Sequence, residues 1–249
     1  MSFQIISDLH LESEPQTTIL KNIPVLSEIL VMAGDIGSFY DIDPILELLR
    51  EACSKFKHVI YVPGNHEYYS LPRIYEQPKT IGFLLHRFKS AVKVDPKLKG
   101  VYVLSRDIAS IGDLVFVGTT LWSDPSPLKR LPSYVKLGIG IRKYHDLHVR
   151  DKTWLNRISK IHKGKKLIVV THHAPSMKLL QDNHFTKKYG SLYATELSHT
   201  EAFKNAAVWV HGHTHNNMDI TLGNTRIISN QQGKSLDSCE VNNQLVITP

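Results

Sequence analysis

The stretch AVWVHGHTH, residues 207–215, joins a short apolar run to three histidines spaced two residues apart. The apolar half has the length and the β-branched and aromatic content of a buried strand. Three imidazoles within five residues seldom serve packing alone, and imidazole is a common metal ligand. The stretch therefore predicts a strand whose carboxyl end presents metal-binding side chains.

Four other segments repeat this arrangement earlier in the chain. Strands predicted at residues 3–7, 29–33, 59–62 and 166–171 each run into polar residues. Those residues are Asp8-Leu9-His10, Gly34-Asp35, Gly64-Asn65-His66-Glu67 and His172-His173. In an open α/β sheet, ligands bind outside the carboxyl ends of the strands. We therefore expect all five strand ends to meet at one site, with Gly34, Gly64 and Gly212 permitting the turns that aim the next side chains inward.

Helical spacing of apolar residues separates these strands and predicts helices over residues 42–56, 78–92, 152–162 and 195–205. Strands that alternate with helices form a largely parallel sheet. A second group of apolar runs lacks intervening helices and predicts hairpins in a second, mixed or antiparallel sheet, at 101–104, 114–117, 219–221, 226–228 and 245–247. Proline-rich segments at 72–78 and 125–132 are predicted surface loops. The expected fold class is α/β, a four-layer αββα sandwich formed by residues 1–249 as one domain.

Composition and charge limit the expected cellular compartment and the expected binding partners. The chain has 249 residues, a formal net charge of +7 and two cysteines, Cys53 and Cys239, without a Cys-x-x-Cys pair. Its start lacks a signal-peptide pattern and no apolar run is long enough to cross a bilayer, so we expect a cytoplasmic protein with no membrane partner. The positive charge suits an anionic partner but is spread along the chain. Nucleic acid is therefore an open partner, with a solvated surface as the alternative.

Seven side chains at the strand ends form the candidate ligand set. They are Asp8, His10, Asp35, Asn65, His172, His213 and His215. Seven oxygen and nitrogen ligands exceed one tetrahedral zinc site and suffice for two ions that share a carboxylate. The absence of sulfur disfavours copper(I) and iron–sulfur chemistry, and several imidazoles disfavour a site dedicated to calcium or magnesium. Manganese, iron, zinc, cobalt and nickel stay open as the two cofactor ions.

Other polar residues have competing interpretations. Asp146-Leu147-His148 repeats the tripeptide of residues 8–10, but it follows no apolar strand, so we interpret it as a loop or a helix start. Trp122 either packs in the core or faces the site, and packing is favoured. His173 and His211 flank candidate ligands and are expected to support them.

Together, these motifs resemble the calcineurin-like metallophosphoesterase superfamily. They occur in the family's order and cover residues 8–215, and residues 118–123 also look like a stretch seen in some small members. The resemblance implies the four-layer αββα sandwich and a dinuclear metal centre. It implies that one ion is held by Asp8, His10 and His215, that the other is held by Asn65, His172 and His213, that Asp35 bridges them, and that His66 and Asn65 are catalytic.

The resemblance also implies an activity. We expect a phosphoester hydrolase, either phosphatase or phosphodiesterase, in which a metal-bridging hydroxide attacks phosphorus and His66 faces the leaving group. The expected partner is a phosphate-ester substrate, with a nucleotide among the candidates. Ser38 lies three residues after Asp35, where serine/threonine protein phosphatases carry Asp and purple acid phosphatases carry Tyr. The orienting partner of His66 therefore stays open, and the alternatives are a nuclease or a catalytically weak scaffold of the same fold.

Overall fold

The computed structural model describes residues 1–13, 19–70, 78–182, 184–235, 237 and 239–249. The strands are β1 (Phe3–Ile6), β2 (Ile29–Met32), β3 (His58–Tyr61), β4 (Val101–Val103), β5 (Asp107–Ile111), β6 (Leu114–Thr119), β7 (Lys166–Thr171), β8 (Val208–Val210), β9 (Met218–Leu222), β10 (Thr225–Ser229) and β11 (Val246–Ile247). The α-helices are α1 (Asp43–Lys55), α2 (Ile81–Val94), α3 (Ile141–Ile161), α4 (His184–Tyr189) and α5 (Glu201–Asn205).

The strands form two mixed sheets. The first has the order β11-β1-β2-β3-β4, in which β1 to β4 are parallel and β11 is antiparallel. The second has the order β5-β6-β7-β8-β10-β9, with a parallel centre and antiparallel outer strands β5 and β9. Parallel neighbours place their carboxyl ends at the same edge of a sheet, and this edge positions the candidate site.

Three apolar layers separate four layers of secondary structure. In the middle layer, side chains such as Ile5 and Val31 of the first sheet pack against Phe116 and Val170 of the second. The opposite face of the first sheet packs on α1 and α2, and that of the second sheet packs on α3 and α5. Because the central strands of both sheets are covered on both faces, strands such as β2, β7 and β8 are nearly continuous apolar runs without alternation. The predicted αββα sandwich is confirmed.

The predicted assignment of strands to sheets was wrong for four strands and correct for β1, β2, β3, β6, β9 and β10. Strands β7 and β8 lie in the second sheet, although they were grouped with β1, β2 and β3. Strands β4 and β11 lie in the first sheet, although they were predicted for the second. An apolar run indicates that a strand is buried on both faces, but it does not indicate which strand pairs with it. That pairing joins segments that are distant in the sequence. Strand β5 was not predicted, since its edge position leaves Asp107 and Ser110 exposed.

Helix boundaries agree within one residue for α1 and within three residues for α2, and they differ more for the other two predictions. Helix α3 has 21 residues and includes Asp146-Leu147-His148, whereas only residues 152–162 were predicted. Helix α5 has five residues and begins where the Thr200 side chain accepts a hydrogen bond from Phe203 N–H, so the predicted start at 195 was wrong. Residues 125–132 lack regular secondary structure, as predicted, and the predicted loop at 72–77 lies outside the described residues.

Two further findings concern composition. Cys53 and Cys239 are free thiols. Within the described ranges, no helix combines the length and apolar character needed to span a bilayer.

Candidate metal centre

The carboxyl ends of five strands meet at one place, as expected, but they come from both sheets. Strands β1, β2 and β3 of the first sheet and β7 and β8 of the second carry the seven candidate ligands into this region. Backbone hydrogen bonds join the loops: Asp8 N–H donates to Gly34 O at 2.9 Å, and Gly212 N–H donates to His172 O at 3.0 Å. The site is therefore built at the seam between the two sheets.

Five of the candidate ligands adopt left-handed backbone conformations, which residues other than glycine rarely take. Their φ angles are 57° at Asp8, 51° at His10, 51° at Asp35, 68° at His213 and 47° at His215. Each such residue costs about 1–3 kcal/mol and persists when the surroundings over-determine it, typically at a functional site. This clustering points to these strand ends as such a site.

The glycines serve two different purposes. Gly34 has a φ of 89°, so it supplies the expected left-handed turn. Gly212 is outside that region and is needed for space, because a Cβ there would lie 2.5 Å from Asp8 Oδ2. Gly64 behaves like Gly212, with the Asp35 carboxylate as the neighbour that a Cβ would meet.

One group of possible ligands consists of Asp8, His10 and His215. His10 Nε2 and His215 Nε2 lie 3.2 Å apart, and His215 Nε2 is 3.5 Å from Asp8 Oδ1. The second nitrogen of each ring, Nδ1, faces a carboxylate: His10 Nδ1 is 3.1 Å from Glu12 Oε1, and His215 Nδ1 is 2.5 Å from Asp237 Oδ2. A carboxylate only accepts hydrogen bonds, so each Nδ1 carries a proton and donates it. In the neutral imidazole, Nε2 is then unprotonated, and it faces the other candidate ligands.

The second group consists of Asp35, His172 and His213. His172 Nε2 lies 3.2 Å from both Asp35 Oδ2 and His213 Nδ1. Here the outward ring nitrogens face backbone carbonyls: His172 Nδ1 is 2.9 Å from Ala33 O, and His213 Nε2 is 3.3 Å from Leu192 O. All four histidines thus direct one nitrogen inward and tie the other to an acceptor, the arrangement that orients metal-ligating imidazoles.

Asn65 lies between β3 and the centre and provides a direct test of whether a metal fits. It is 2% exposed, and its Oδ1 is buried without a hydrogen-bond partner among the described residues. A buried amide oxygen left without a partner costs about 1–3 kcal/mol. A cation would satisfy this oxygen, so the donor set fits metal binding.

His66 also reaches this region, and its carboxylate partner is a residue that the sequence did not indicate. His66 Nδ1 lies 2.8 Å from Glu12 Oε1, the same oxygen that contacts His10, and His66 Nε2 is 4.0 Å from Asp35 Oδ2. Ser38 instead accepts a hydrogen bond from Tyr40 N–H. The chain turns here, with positive φ angles at Asp8 and His10 and with Ser13 N–H donating to His10 O at 2.9 Å. The alternation of an extended strand therefore does not predict the contact of Glu12 with His66.

Glu67 follows His66 and has a structural environment. This carboxylate is fully buried and accepts hydrogen bonds from Asp35 N–H, Ile36 N–H, Gly64 N–H and Tyr61 O–H, at 2.7–3.1 Å. Burial, followed by the charge of Asp35, raises the pKa of Glu67 to about 7. Glu67 therefore clamps the loops after β2 and β3 together and does not orient His66.

Electrostatics at the centre favour positive charge. Burial opposes ionisation of Asp35, but His172 and His66 outweigh it and hold the pKa of Asp35 well below its usual range. The same balance lowers the pKa of Glu12 to about 2, through hydrogen bonds from His10 and His66. Burial lowers the pKa of His172, but Asp35 overcomes it and raises that pKa to about 9. A metal ion bound here would compete with a proton for an imidazole nitrogen, so its affinity would rise with pH.

The remaining candidates lie around the centre. Trp122 is 2% exposed and packs among Tyr68, Tyr144 and His173, so the packing interpretation is confirmed. His173 is fully buried with Nδ1 3.3 Å from Thr120 O, and its ring contacts His213. His211 is also fully buried, one residue before the glycine that approaches Asp8. These two histidines pack next to the candidate ligands.

Comparison with known proteins places the chain in a family. A protein of Acanthamoeba polyphaga mimivirus is 27% identical over 237 residues, covering 83% of this chain and 78% of that protein. The crystal structure of phosphopantetheinyl hydrolase from Mycobacterium tuberculosis matches with a TM-score of 0.70 and 18% identity, covering 93% of this chain and 89% of that one, which shows a common fold. The sequence model of calcineurin-like phosphoesterases matches residues 1–217. The resemblance in the motifs is thus confirmed, and this chain belongs to the calcineurin-like phosphoesterase family.

Proposed function

We propose that this protein hydrolyses phosphate esters with a dinuclear metal centre. Asp8, His10 and His215 would hold one ion, Asn65, His172 and His213 would hold the other, and Asp35 would serve both. The observation that carries the proposal is the orientation of the four imidazoles, each with one nitrogen directed inward and the other tied to an acceptor. The unpartnered Asn65 Oδ1 adds a buried oxygen that a cation would satisfy.

Two bound cations would neutralise the phosphate oxygens and acidify the attacking water. Asn65 would have a second task, because its amide N–H groups would donate to a phosphate oxygen while its Oδ1 would bind a cation. His213 N–H donates to Asp8 Oδ1 at 2.9 Å and so holds the Asp8 carboxylate in place. The chain itself therefore orients the phosphate and the ligands.

His66 is the proposed general acid for the leaving group. Burial lowers the pKa of His66, but Asp35 and Glu12 outweigh it and raise that pKa above its usual value. Glu12 accepts from Nδ1, so Nε2–H is the proton that is free to transfer to the departing alkoxide. Glu12 thus supplies the orienting carboxylate that Ser38 does not.

Metal removal tests the proposal directly. We expect chelation to abolish hydrolysis of p-nitrophenyl phosphate or its diester analogue, and we expect manganese, iron, zinc, cobalt or nickel to restore it with two ions per chain. Elemental analysis gives the stoichiometry, and Asp35→Asn should lower both occupancy and rate. Activity that persists after complete metal removal would sink the proposal, and two bound ions without turnover on any ester would favour the scaffold.

A substrate panel sharpens the reaction class. The metal-reconstituted protein should be assayed on monoesters, diesters, nucleotides, oligonucleotides and a phosphopantetheinyl ester. The last is included because a protein of similar fold is a phosphopantetheinyl hydrolase. We expect His66→Ala to retain metal and to lose rate most strongly on esters with poor leaving groups, because these need the proton. A uniform loss across leaving groups would remove the general-acid role.

A further inference from the structure

A cavity of about 500 Å³ opens beside the candidate metal ligands. This volume is in the range of small-molecule sites. Asn65, His66 and His213 form part of its wall, so a molecule whose phosphate lies at the metal centre extends into it. The rest of the wall is dominated by rings and ammonium groups: Tyr69, Tyr134, Tyr144, Tyr193, Lys136 and Lys234.

The aromatic surface begins at the metal centre and continues away from it. Tyr193 stacks on His213, with ring centroids 4.6 Å apart and planes at 26°. Phe185 lies 5.6 Å from Tyr193, and Tyr134 lies 6.4 Å from Phe185. On the other side, Tyr69 lies 5.0 Å from the His66 ring. Rings therefore line the cavity at two depths, next to the ligands and farther out.

The two lysines add positive charge to this aromatic cavity. Lys136 is anchored by its backbone, whose carbonyl accepts a hydrogen bond from Ser70 N–H at 2.9 Å. Within the described part of the chain, neither Lys136 nor Lys234 makes an ion pair, and both are exposed. Their charge is available to an anionic ligand.

We propose that this cavity holds the nucleoside part of the substrate, so that the esters cleaved are nucleotides. Base rings stack on tyrosine faces, and a ribose between base and phosphate provides the reach to the outer ring of Tyr134. A sugar phosphate or phosphoserine would leave these rings uncovered, and the aryl group of a simple aryl phosphate ester would reach only the inner ones. The inference rests on the proposed function, since the phosphate is placed at the metal centre.

Matched substrate pairs test the inference. AMP and ribose 5-phosphate release the same primary alkoxide, and the p-nitrophenyl ester of thymidine 5′-phosphate and methyl p-nitrophenyl phosphate release the same phenolate. For whichever pair the metal-loaded protein cleaves, we expect kcat/KM for the nucleoside-containing ester to be at least about tenfold higher than for its partner. One base–aromatic stack contributes an effect of about this size. Equal kcat/KM within the pair would overturn the inference and leave the proposed hydrolysis standing.

Binding separates the two claims if no ester is cleaved. Adenosine carries no phosphate, so its affinity depends on the cavity and not on phosphate at the metals. We expect saturable NMR shift changes on adding adenosine to the full-length protein and none on adding ribose at the same concentration. Identical responses to both would overturn the nucleoside site, whereas adenosine binding without any hydrolysis would contradict the proposed function alone.

Tyr134 offers variants that probe the outer ring without touching the candidate ligands. It is 39% exposed, and its ring neighbours in the described chain are Phe185 and Tyr189. We expect Tyr134→Leu to lower the AMP to ribose 5-phosphate ratio severalfold and Tyr134→Phe to keep it. Phe83→Leu, at a 52% exposed ring on α2 outside the cavity, is the control and should change neither rate. A ratio unmoved by Tyr134→Leu would contradict the proposed stacking.

Discussion

The tripeptide Asp-Leu-His occurs twice, and its two copies have different structures. Asp8-Leu9-His10 follows β1, and both polar residues have positive φ angles and are at most 1% exposed. Asp146-Leu147-His148 lies inside α3, where Asp146 is exposed and His148 is buried with Nδ1 2.8 Å from Trp122 O. On a helix, residues two apart do not face each other, so only the first copy brings both side chains to one point.

The difference teaches that backbone conformation, and not the residue types, makes a candidate ligand pair. The residues two positions after the two histidines, Glu12 and Arg150, show the same difference in backbone direction. Glu12 turns back to contact His10 and His66, whereas Arg150 continues along the exposed face of α3. The two copies therefore supply matched variants and controls.

The largest expected effect is at the two aspartates. Asp8→Asn should reduce metal occupancy and lower hydrolysis by more than about 100-fold, because losing a residue that merely orients a ligand already costs about 10–100-fold. Asp146→Asn should leave both quantities at the wild-type level. Elemental analysis and steady-state kinetics measure them, and similar behaviour of the two variants would contradict the distinction.

The next effect concerns Glu12 and its counterpart Arg150. Glu12→Gln should lower kcat by about 10–100-fold, because His66 loses the carboxylate that orients its ring and stabilises its charged form. The loss should be larger for poor leaving groups, which a purely structural defect would not produce. Arg150→Gln should be unchanged, and a Glu12→Gln loss independent of leaving group would show that Glu12 acts only through His10.

A smaller effect distinguishes stability from function at the second copy. His148→Ala should lower the free energy of unfolding by about 1–3 kcal/mol, since the buried Trp122 carbonyl loses its donor. Metal occupancy should not change. Urea unfolding monitored by tryptophan fluorescence, together with metal analysis, checks both; a loss of metal would mean that α3 supports the centre more directly than its contacts indicate.

The smallest expected effect is the pH dependence of stability in the metal-free protein. The folded pKa of Glu12 is lowered from 4.5 to about 2, because hydrogen bonds from His10 and His66 outweigh the opposing effect of burial. Its stabilising contribution is therefore complete above pH 4.5 and is lost as the pH falls toward 2. The stability difference between wild type and Glu12→Gln should shrink over that window, whereas the Arg150→Gln difference should stay constant.

The candidate site was predictable to the extent that it follows strands. Each of Asp8, Asp35, Asn65, His172 and His213 comes within four residues of the end of a strand, so local order alone marked them as candidates. The partners that orient the histidines were not predictable. Asp237 is 22 residues from His215, and the Leu192 carbonyl is 21 residues from His213, so only packing brings them together.

The fold divides in the same way. By itself, the sequence determined which segments are buried strands and which polar residues end them, because burial on both faces and metal-ligand chemistry leave local signatures. Only the tertiary structure decided which sheet each strand joins, that Glu12 partners His66, and that four tyrosines from separate segments of the chain line one cavity. These depend on contacts between residues far apart in the chain, for which a single sequence has no periodic signal.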